Sequence, residues 1–308
     1  MIEARGLTKE FGGRRVVDEL SFTVEPGHVT GFLGPNGAGK TTTMRMVLGL
    51  HRPTGGTVTV RGQRYDGLRA PLHEVGALLD AKGVHRRRTA YHHLLAVAQS
   101  NRIGRRRVGQ VLELVGMADA ARRRAGAFSL GMAQRLGIAT ALLGDPPVLM
   151  LDEPVNGLDP EGMLWIRTLM RELADEGRTV LVSSHLLSEM ALTADRLVVI
   201  GRGKLIADSS TEEFLSRRGT DAVLVRVAEE AAAEPFARRL AGAGGGVTAR
   251  QDGALLVTGL ESARVGALAA GGGTVLAELT PQAASLEEAF MEMTQEYVEF
   301  QASGSGAR

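Results

Sequence analysis

The chain has 308 residues, a formal net charge of +1 and no cysteine. This length is typical of one large or two ordinary domains, and the near-neutral charge gives no reason to expect a nucleic acid partner. Without cysteine, disulfides, thiolate catalysis and cysteine metal sites are excluded. Neither a secretory signal nor an apolar run long enough to span a bilayer is found, so we expect a soluble or peripheral protein.

Strands dominate the sequence up to about Tyr65. The predicted strands are 16–17, 20–24, 29–33 and 57–60, the last of them after the turn Pro53-Thr54-Gly55-Gly56. Residues 42–50 predict a helix directly after the third strand.

The segment GPNGAGKTT, residues 34–42, connects that third strand to the helix. Gly34, Gly39, Lys40 and Thr41 fit the phosphate-loop pattern, in which glycine N–H groups surround phosphate oxygens and the lysine adds a positive charge. Thr41 would then bind Mg²⁺. The alternative is a glycine turn with a solvated lysine, in a chain with 40 glycines. The flanking strand and helix favour the nucleotide site, because a helix N-terminus supplies further N–H donors.

Helical spacing begins at about Thr89 and continues to Gly126, which predicts a helical insert. Three arginine runs lie here, at 86–88, 105–107 and 122–124. They are either a basic face for lipid headgroups, nucleic acid or an acidic partner, or ordinary solvated helix surfaces. The second interpretation is favoured, because the chain has only four lysines and arginine takes their usual place at the surface.

The strand-rich pattern resumes after the insert. Apolar strands are predicted at 147–151, 179–183 and 197–200, with a helix at 163–176. Strands that alternate with helices predict an α/β fold with a mostly parallel sheet.

Two carboxylates, Asp152 and Glu153, end the first of these strands. This arrangement suits Asp152 to the Mg²⁺ shell and Glu153 to polarising the attacking water. A helix N-cap or a solvated turn is the alternative, and a phosphate loop in the same chain weakens it.

Composition shifts to alanine, glycine and valine after about Arg218. The predicted elements are strand 222–227, helix 232–241, strands 246–250 and 254–258, helix 261–270, strand 274–278 and a last helix at 285–297. The order βαββαβ is typical of a small α+β ferredoxin-like domain. We expect a disordered tail at 301–308.

In this order the motifs resemble the nucleotide-binding subunit of an ATP-binding cassette (ABC) transporter, over roughly residues 1–214. Besides the phosphate loop and VLMLDE (148–153), FSLGMAQRL (128–136) resembles the family's signature segment, and NGLD (156–159) its loop between the two sites of a dimer. The resemblance implies a phosphate-loop NTPase cassette at 1–218, with a mixed sheet core and a helical subdomain at about 85–140, and an accessory domain at 220–300.

The same resemblance implies the site residues. The residues implied to bind ATP are Phe11, Gly34, Pro35, Asn36, Gly37, Ala38, Gly39, Lys40, Thr41, Thr42, Ser129, Gly131 and Asp159. Phe11 would stack on adenine, while Ser129 and Gly131 would clamp the γ-phosphate held by the other subunit, since Gly131 allows close backbone approach at a helix start. His185 would sense the γ-phosphate and act with Glu153 in hydrolysis.

Two positions depart from the family pattern. Leu130 replaces the more frequent glycine of the signature segment, and Asp80 stands where glutamine is commonest. An acid at that place resembles export subunits of peptide-antibiotic resistance and lantibiotic self-protection. Asp80 would join Thr41 and Asp152 at the Mg²⁺. The alternative is that Asp80 only caps the following turn.

The expected function is an ATPase subunit, with ATP and Mg²⁺ as cofactors, that energises a separate membrane permease for export of a drug, antibiotic or lipid-like compound. We expect a homodimer with composite ATP sites, bound peripherally at the cytoplasmic face of the membrane, and no nucleic acid partner. A soluble ABC ATPase acting on ribosomes or DNA is the alternative class, but it usually has two cassettes or a long coiled coil. A cassette without activity is disfavoured by the catalytic residues, and a GTPase by the missing Asn-Lys-X-Asp segment.

Overall fold

The computed structural model describes residues 1–184, 187–216, 222–250, 252–282 and Phe290. Along this part of the chain two compact units are separated, the first at Met1–Thr211 and the second within Glu212–Glu292. Each has its own hydrophobic core and is described by itself. Within these ranges, no helix has both the length and the apolar character needed to cross a membrane.

The first unit alternates strands and helices. In chain order its elements are β1 (Ile2–Phe11), β2 (Arg14–Val24), β3 (His28–Leu33), α1 (Lys40–Val47), β4 (Gly55–Val60), α2 (Pro71–Glu74), β5 (Val75–Leu78), α3 (Ala90–Ser100), α4 (Arg105–Leu114), α5 (Leu130–Leu142), β6 (Val148–Asp152), α6 (Pro160–Asp175), β7 (Thr179–Ser184), α7 (Leu187–Thr193), β8 (Arg196–Gly201) and β9 (Lys204–Ser210).

The central sheet has the strand order β5-β6-β7-β3-β8-β9. In this order the first five strands, β5 through β8, pair in parallel, and the last strand, β9, pairs with β8 antiparallel. Every residue of β6 and β7 is buried, as expected for parallel strands covered on both faces. Because parallel strands end at the same edge, the loop after β3 lies at the same edge as the ends of β6 and β7.

A second, antiparallel sheet has the order β2-β1-β4. One apolar core connects this sheet, helix α1 and the central sheet, through residues such as Phe22, Phe32, Met44 and Met150. The rings of Phe22 and Phe32 have centroids 5.4 Å apart. Burying a side chain of this size contributes about 2–3 kcal/mol, so the start of α1 is held firmly against both sheets.

Helices α3, α4 and α5 form the helical insert. Thr89 caps α3 by accepting a hydrogen bond from the His92 N–H, at 3.2 Å. Arg107 of α4 donates to the Leu142 carbonyl at the end of α5 (2.9 Å) and to Asp145 (3.0 Å). These bonds attach α4 to the segment that leads from the insert back to the sheet.

The second unit begins within α8 (Thr211–Ser216). Its elements are β10 (Ala222–Val227), α9 (Ala233–Gly242), β11 (Gly246–Ala249), β12 (Leu255–Thr258), α10 (Ser262–Gly271) and β13 (Leu276–Gln282). The strands form an antiparallel sheet in the order β11-β12-β10-β13. Phe236 and Leu240 of α9 and Val265 of α10 pack with Val223 and Val225 into one core.

The α/β fold with a mostly parallel sheet and a helical insert is confirmed, and the second unit has the predicted order βαββαβ. The predicted bounds of the helix at 42–50 are wrong. It begins at Lys40 and ends at Val47, because Gly39 caps it with a φ of 105° and Gly49 turns the chain away with a φ of 66°. The predicted strands 16–17 and 20–24 are one strand with an irregularity, where Glu19 has a φ of 50°. Predictions for 285–297 and 301–308 fall outside the described residues, apart from Phe290.

Candidate functional site

The phosphate loop occupies the turn between β3 and α1. Gly37 and Gly39 have φ values of 82° and 105°, which residues with a Cβ atom rarely adopt. A Cβ atom at Gly34 would lie 2.5 Å from the Ile200 carbonyl oxygen. The loop therefore depends on glycine both for its conformation and for its close packing, and it places the first N–H groups of α1 at an anion-binding helix end.

Lys40 is almost completely buried at the base of this loop, with 7% of its surface exposed. Its Nζ donates to the carbonyl oxygens of Gly34 (2.6 Å) and Pro35 (3.3 Å). Burial lowers the pKa of Lys40, while the carboxylates of Glu153 and Asp152 act in the opposite direction. The ammonium group thus lies within the loop, where a phosphate oxygen would replace the solvent it has lost.

Asp152, the last residue of β6, receives a hydrogen bond on each carboxylate oxygen. Thr41 Oγ1 donates to Oδ2 at 2.7 Å, and Ser183 Oγ donates to Oδ1. A hydroxyl beside a carboxylate is an oxygen donor pair that suits Mg²⁺, which takes one or two carboxylates and completes its shell with water and phosphate. Among the described residues no group of three or more His, Asp or Glu could hold a metal. A Mg²⁺ site built from one hydroxyl and one carboxylate does not require such a group.

Glu153 has an uncommon backbone conformation, with a φ of 53°. Its N–H donates to the carbonyl (3.2 Å) and hydroxyl (3.1 Å) oxygens of Ser183, and its carbonyl accepts from Gln134 Nε2 at 3.1 Å. A left-handed conformation costs a non-glycine residue about 1–2 kcal/mol, so these bonds on both sides stabilise it. Glu153 is the residue directly after Asp152 in the chain.

The signature segment and the NGLD loop lie against each other. A Cβ atom at Gly131 would lie 2.8 Å from the Gly157 carbonyl oxygen, and one at Gly157 would collide with the side chain of Leu130. Ser129 caps α5 by accepting from the Met132 N–H at 3.2 Å. Asp159 caps α6 in the same way, accepting from the Gly162 N–H at 2.9 Å, which is why this helix begins at Pro160 and not at 163.

The remaining predicted residues lie around this centre. Phe11, at the end of β1, is 45% exposed; its ring centroid is 5.5 Å from that of His51 and 4.8 Å from Lys9 Nζ. Asp80 is exposed just after β5, the strand that pairs with β6, and its carbonyl accepts from the Gly83 N–H. His185 lies outside the described residues.

The structure therefore brings Lys40, Thr41, Asp152 and Glu153 together, and separately joins the signature segment to the NGLD loop. Two residues that hydrogen-bond to the first group, Ser183 and Gln134, were not identified from the sequence. A signal existed for Ser183, since a serine ends a buried apolar strand next to the strand of Asp152 in the expected sheet. Gln134 gave less signal, because one polar residue in a helix is ordinarily exposed.

Comparison with known proteins matches the two parts of the chain to two different families. The profile of the ABC transporter family matches residues 17–156, and that of a domain of unknown function (DUF8746) matches residues 221–287. The bacitracin transport ATP-binding protein BcrA of Bacillus licheniformis is 41% identical over 220 residues, which are 70% of this chain and 72% of that protein. The daunorubicin/doxorubicin resistance ATP-binding protein DrrA of Streptomyces peucetius is 36% identical over 260 residues, or 82% of this chain and 77% of that protein.

Among solved structures, the ATP-binding subunit of an ABC transporter superimposes with a TM-score of 0.66 at 26% identity, covering 71% of this chain and 93% of the other.

Proposed function

Since this chain belongs to the ABC transporter family as an ATP-binding subunit and ATPase, we propose that its hydrolysis of Mg²⁺-bound ATP energises a separate membrane permease. The permease would export a drug, an antibiotic or a lipid-like compound. The observation that carries this proposal is the hydrogen-bonded set of Thr41, Asp152 and Ser183 beside the buried Lys40 and the fixed backbone of Glu153.

Each residue of this set has a role that its contacts support. The loop N–H groups and Lys40 bind the phosphates, Thr41 and Asp152 hold Mg²⁺, and Glu153 orients the attacking water and accepts its proton. When bound between Thr41, Asp152 and the nucleotide, Mg²⁺ would supply positive charge that offsets the phosphate charge. Phe11 offers a ring for adenine, and its exposure supports that role.

Three further assignments go with this proposal. Asp80 follows β5, which pairs with the strand of Asp152, and it would reach the metal only if its loop moves inward. Its charge would bind Mg²⁺ more strongly than an amide oxygen would. His185 would sense the γ-phosphate just beyond β7.

We also propose that two subunits form the active assembly. Ser129 and Gly131 lie at the start of a long helix, whose N–H groups suit an anion presented by another subunit. Asp159 on the adjacent NGLD loop would connect the two sites. The dimer would bind the permease at the cytoplasmic face of the membrane and contact no nucleic acid.

The cargo class follows from the relatives, which are named for bacitracin transport and for daunorubicin/doxorubicin resistance. The test is co-purification of the full chain from membranes with its permease, followed by ATPase assays with candidate compounds. Wild type should show compound-stimulated turnover, which Lys40→Ala abolishes and the exposed control Lys204→Ala retains. A wild-type protein that binds no membrane partner, or Lys40→Ala with normal turnover, would refute the proposal.

A further inference from the structure

The backbone of Glu153 is held from two directions. Its N–H is bound by Ser183 at the end of β7, and its carbonyl by the Gln134 side chain of α5. Ser183 belongs to β7, which pairs with the strand that ends just before Glu153, whereas Gln134 comes from the helical insert. The conformation of Glu153, with its φ of 53°, therefore depends on a contact with a helix outside the sheet.

Gln134 is buried where it contacts the Glu153 carbonyl, with 4% of its surface exposed. A buried amide is costly unless it is hydrogen-bonded. Because the Glu153 carbonyl can only accept, the amide nitrogen and not the oxygen must face it. A hydrophobic side chain of the same size would fill the space but could not hold this carbonyl.

Helix α5 also contacts the chain that follows Glu153. Leu130 packs on Gly157, and the guanidinium carbon of Arg135 lies 4.5 Å from the ring centroid of Trp165 in α6. The N-terminal half of α5 is therefore attached to the segment 153–165 at three successive points. Ser129, which caps this helix, precedes Gln134 by five residues, or about 7.5 Å along the axis.

We infer that Gln134 is a positioning residue that orients Glu153 and ties its orientation to the start of helix α5. A nucleotide of the partner subunit that contacts Ser129 would thereby act on Glu153 of this subunit. This inference rests on the proposed role of Glu153 in hydrolysis.

The first test replaces the donor without changing the size of the side chain. Gln134→Leu should lower kcat for ATP by about tenfold to a hundredfold, as expected for a misplaced catalytic group, with KM within about twofold of wild type. The matched control is Gln110→Leu on α4, an exposed glutamine of the same insert, and it should behave as wild type. Circular dichroism and the fluorescence of Trp165, the one tryptophan of the sequence, check that each variant is folded. A Gln134→Leu protein with wild-type kcat would overturn the inference.

The second test measures how kcat depends on pH. A purely structural role of Gln134 would not change this dependence in the same way. In Gln134→Glu, the protonated carboxyl can donate to the Glu153 carbonyl and the ionised one cannot. Burial at this position would raise the pKa of the new group. The ratio of variant to wild-type kcat should therefore increase as pH falls. A ratio that is constant with pH would overturn the inference. This test remains valid even if Gln134→Leu does not fold.

A third variant separates this inference from the function on which it rests. If Glu153→Gln hydrolyses ATP as wild type does, the proposed role of Glu153 is wrong. If Glu153→Gln is inactive while Gln134→Leu has wild-type kcat, only the positioning role is wrong.

Discussion

The Thr41 hydroxyl donates a 2.7 Å hydrogen bond to Asp152, a residue 111 positions further along the chain. The loop after β3 and the end of β6 are thus joined directly, although β7 lies between the two strands in the sheet. The bond holds a hydroxyl and a carboxylate oxygen together, as the proposed Mg²⁺ site requires.

Thr41→Ala should weaken Mg²⁺ binding by about tenfold to a hundredfold, because it removes one oxygen and releases Asp152. Thr41→Ser, which keeps the hydroxyl, should remain close to wild type. A Mg²⁺ titration of ATPase activity at saturating ATP measures the difference. Equal Mg²⁺ dependence of the alanine and serine variants would contradict the assignment of Thr41.

The contact between Leu130 and Gly157 gives a second prediction. Gly157→Ala should destabilise the fold by more than Gly177→Ala. Both glycines have positive φ, 77° and 86°, but only a Cβ at Gly157 meets Leu130, while one at Gly177 has open space around it. The shared backbone strain is about 1–2 kcal/mol, and chemical unfolding of the two variants isolates the excess. Adding Leu130→Ala to Gly157→Ala should reduce this excess, because it removes the Cγ and Cδ2 atoms that make the two closest contacts. An excess that stays unchanged in the double variant would show that the contact is not its cause.

Asp145 gives a prediction about pH. Burial would raise its pKa, but hydrogen bonds and charges from Arg178 and Arg107 together hold the pKa below its usual value. A lowered pKa means that the carboxylate stabilises the fold above the unfolded pKa of about 3.9, and that this stability is lost as pH falls through the folded value. Because the side chain is 61% exposed, Asp145→Asn should cost no more than about 1 kcal/mol at pH 7.

The measurement is the free energy of unfolding against pH. Asp145→Asn should be less stable than wild type at neutral pH and approach it in acid, whereas the control Asp175→Asn, an exposed site at the end of α6, should stay parallel to wild type. Asp145 has a positive φ of 53°, which asparagine also tolerates, so Asp145→Asn does not perturb the backbone. A difference that persists unchanged at low pH would show that the ion pairs are not its origin.

The proposed composite site predicts complementation between two inactive subunits. Lys40→Ala removes the phosphate-binding lysine, and Ser129→Arg blocks the signature segment with a bulky charge. In a mixed dimer, one of the two sites would have an intact loop and an intact signature segment. ATPase activity above that of either variant alone is expected, measured on tagged heterodimers. Heterodimers that form but stay inactive would argue against sites shared between subunits.

Much of this arrangement could be predicted because it is encoded locally. The phosphate loop, the strand before it and the acidic end of β6 are each contiguous, and their glycines, apolar runs and carboxylates are visible in the sequence. Ser129 was likewise expected at a helix start, whereas the cap at Asp159 was missed because the helix was predicted to begin at 163.

The contacts that arrange the site were not predicted, because they join distant segments. That Gln134 is buried and donates to the Glu153 carbonyl depends on how α5 lies against the sheet. Ser183 binds both Asp152 and Glu153 only because β7 lies next to β6 in parallel register. The packing of Leu130 on Gly157 likewise follows from tertiary structure and not from local sequence.

ATPase activity together with size-exclusion chromatography of Glu153→Gln tests whether Glu153 acts in ATP hydrolysis. The variant keeps the size of the side chain and removes the proton acceptor. We predict that it binds ATP, hydrolyses it at least about a hundredfold more slowly, and accumulates as an ATP-bound dimer. The control Glu172→Gln, at an exposed position of α6, should turn over normally. Wild-type hydrolysis by Glu153→Gln, with no accumulated dimer, would contradict the account.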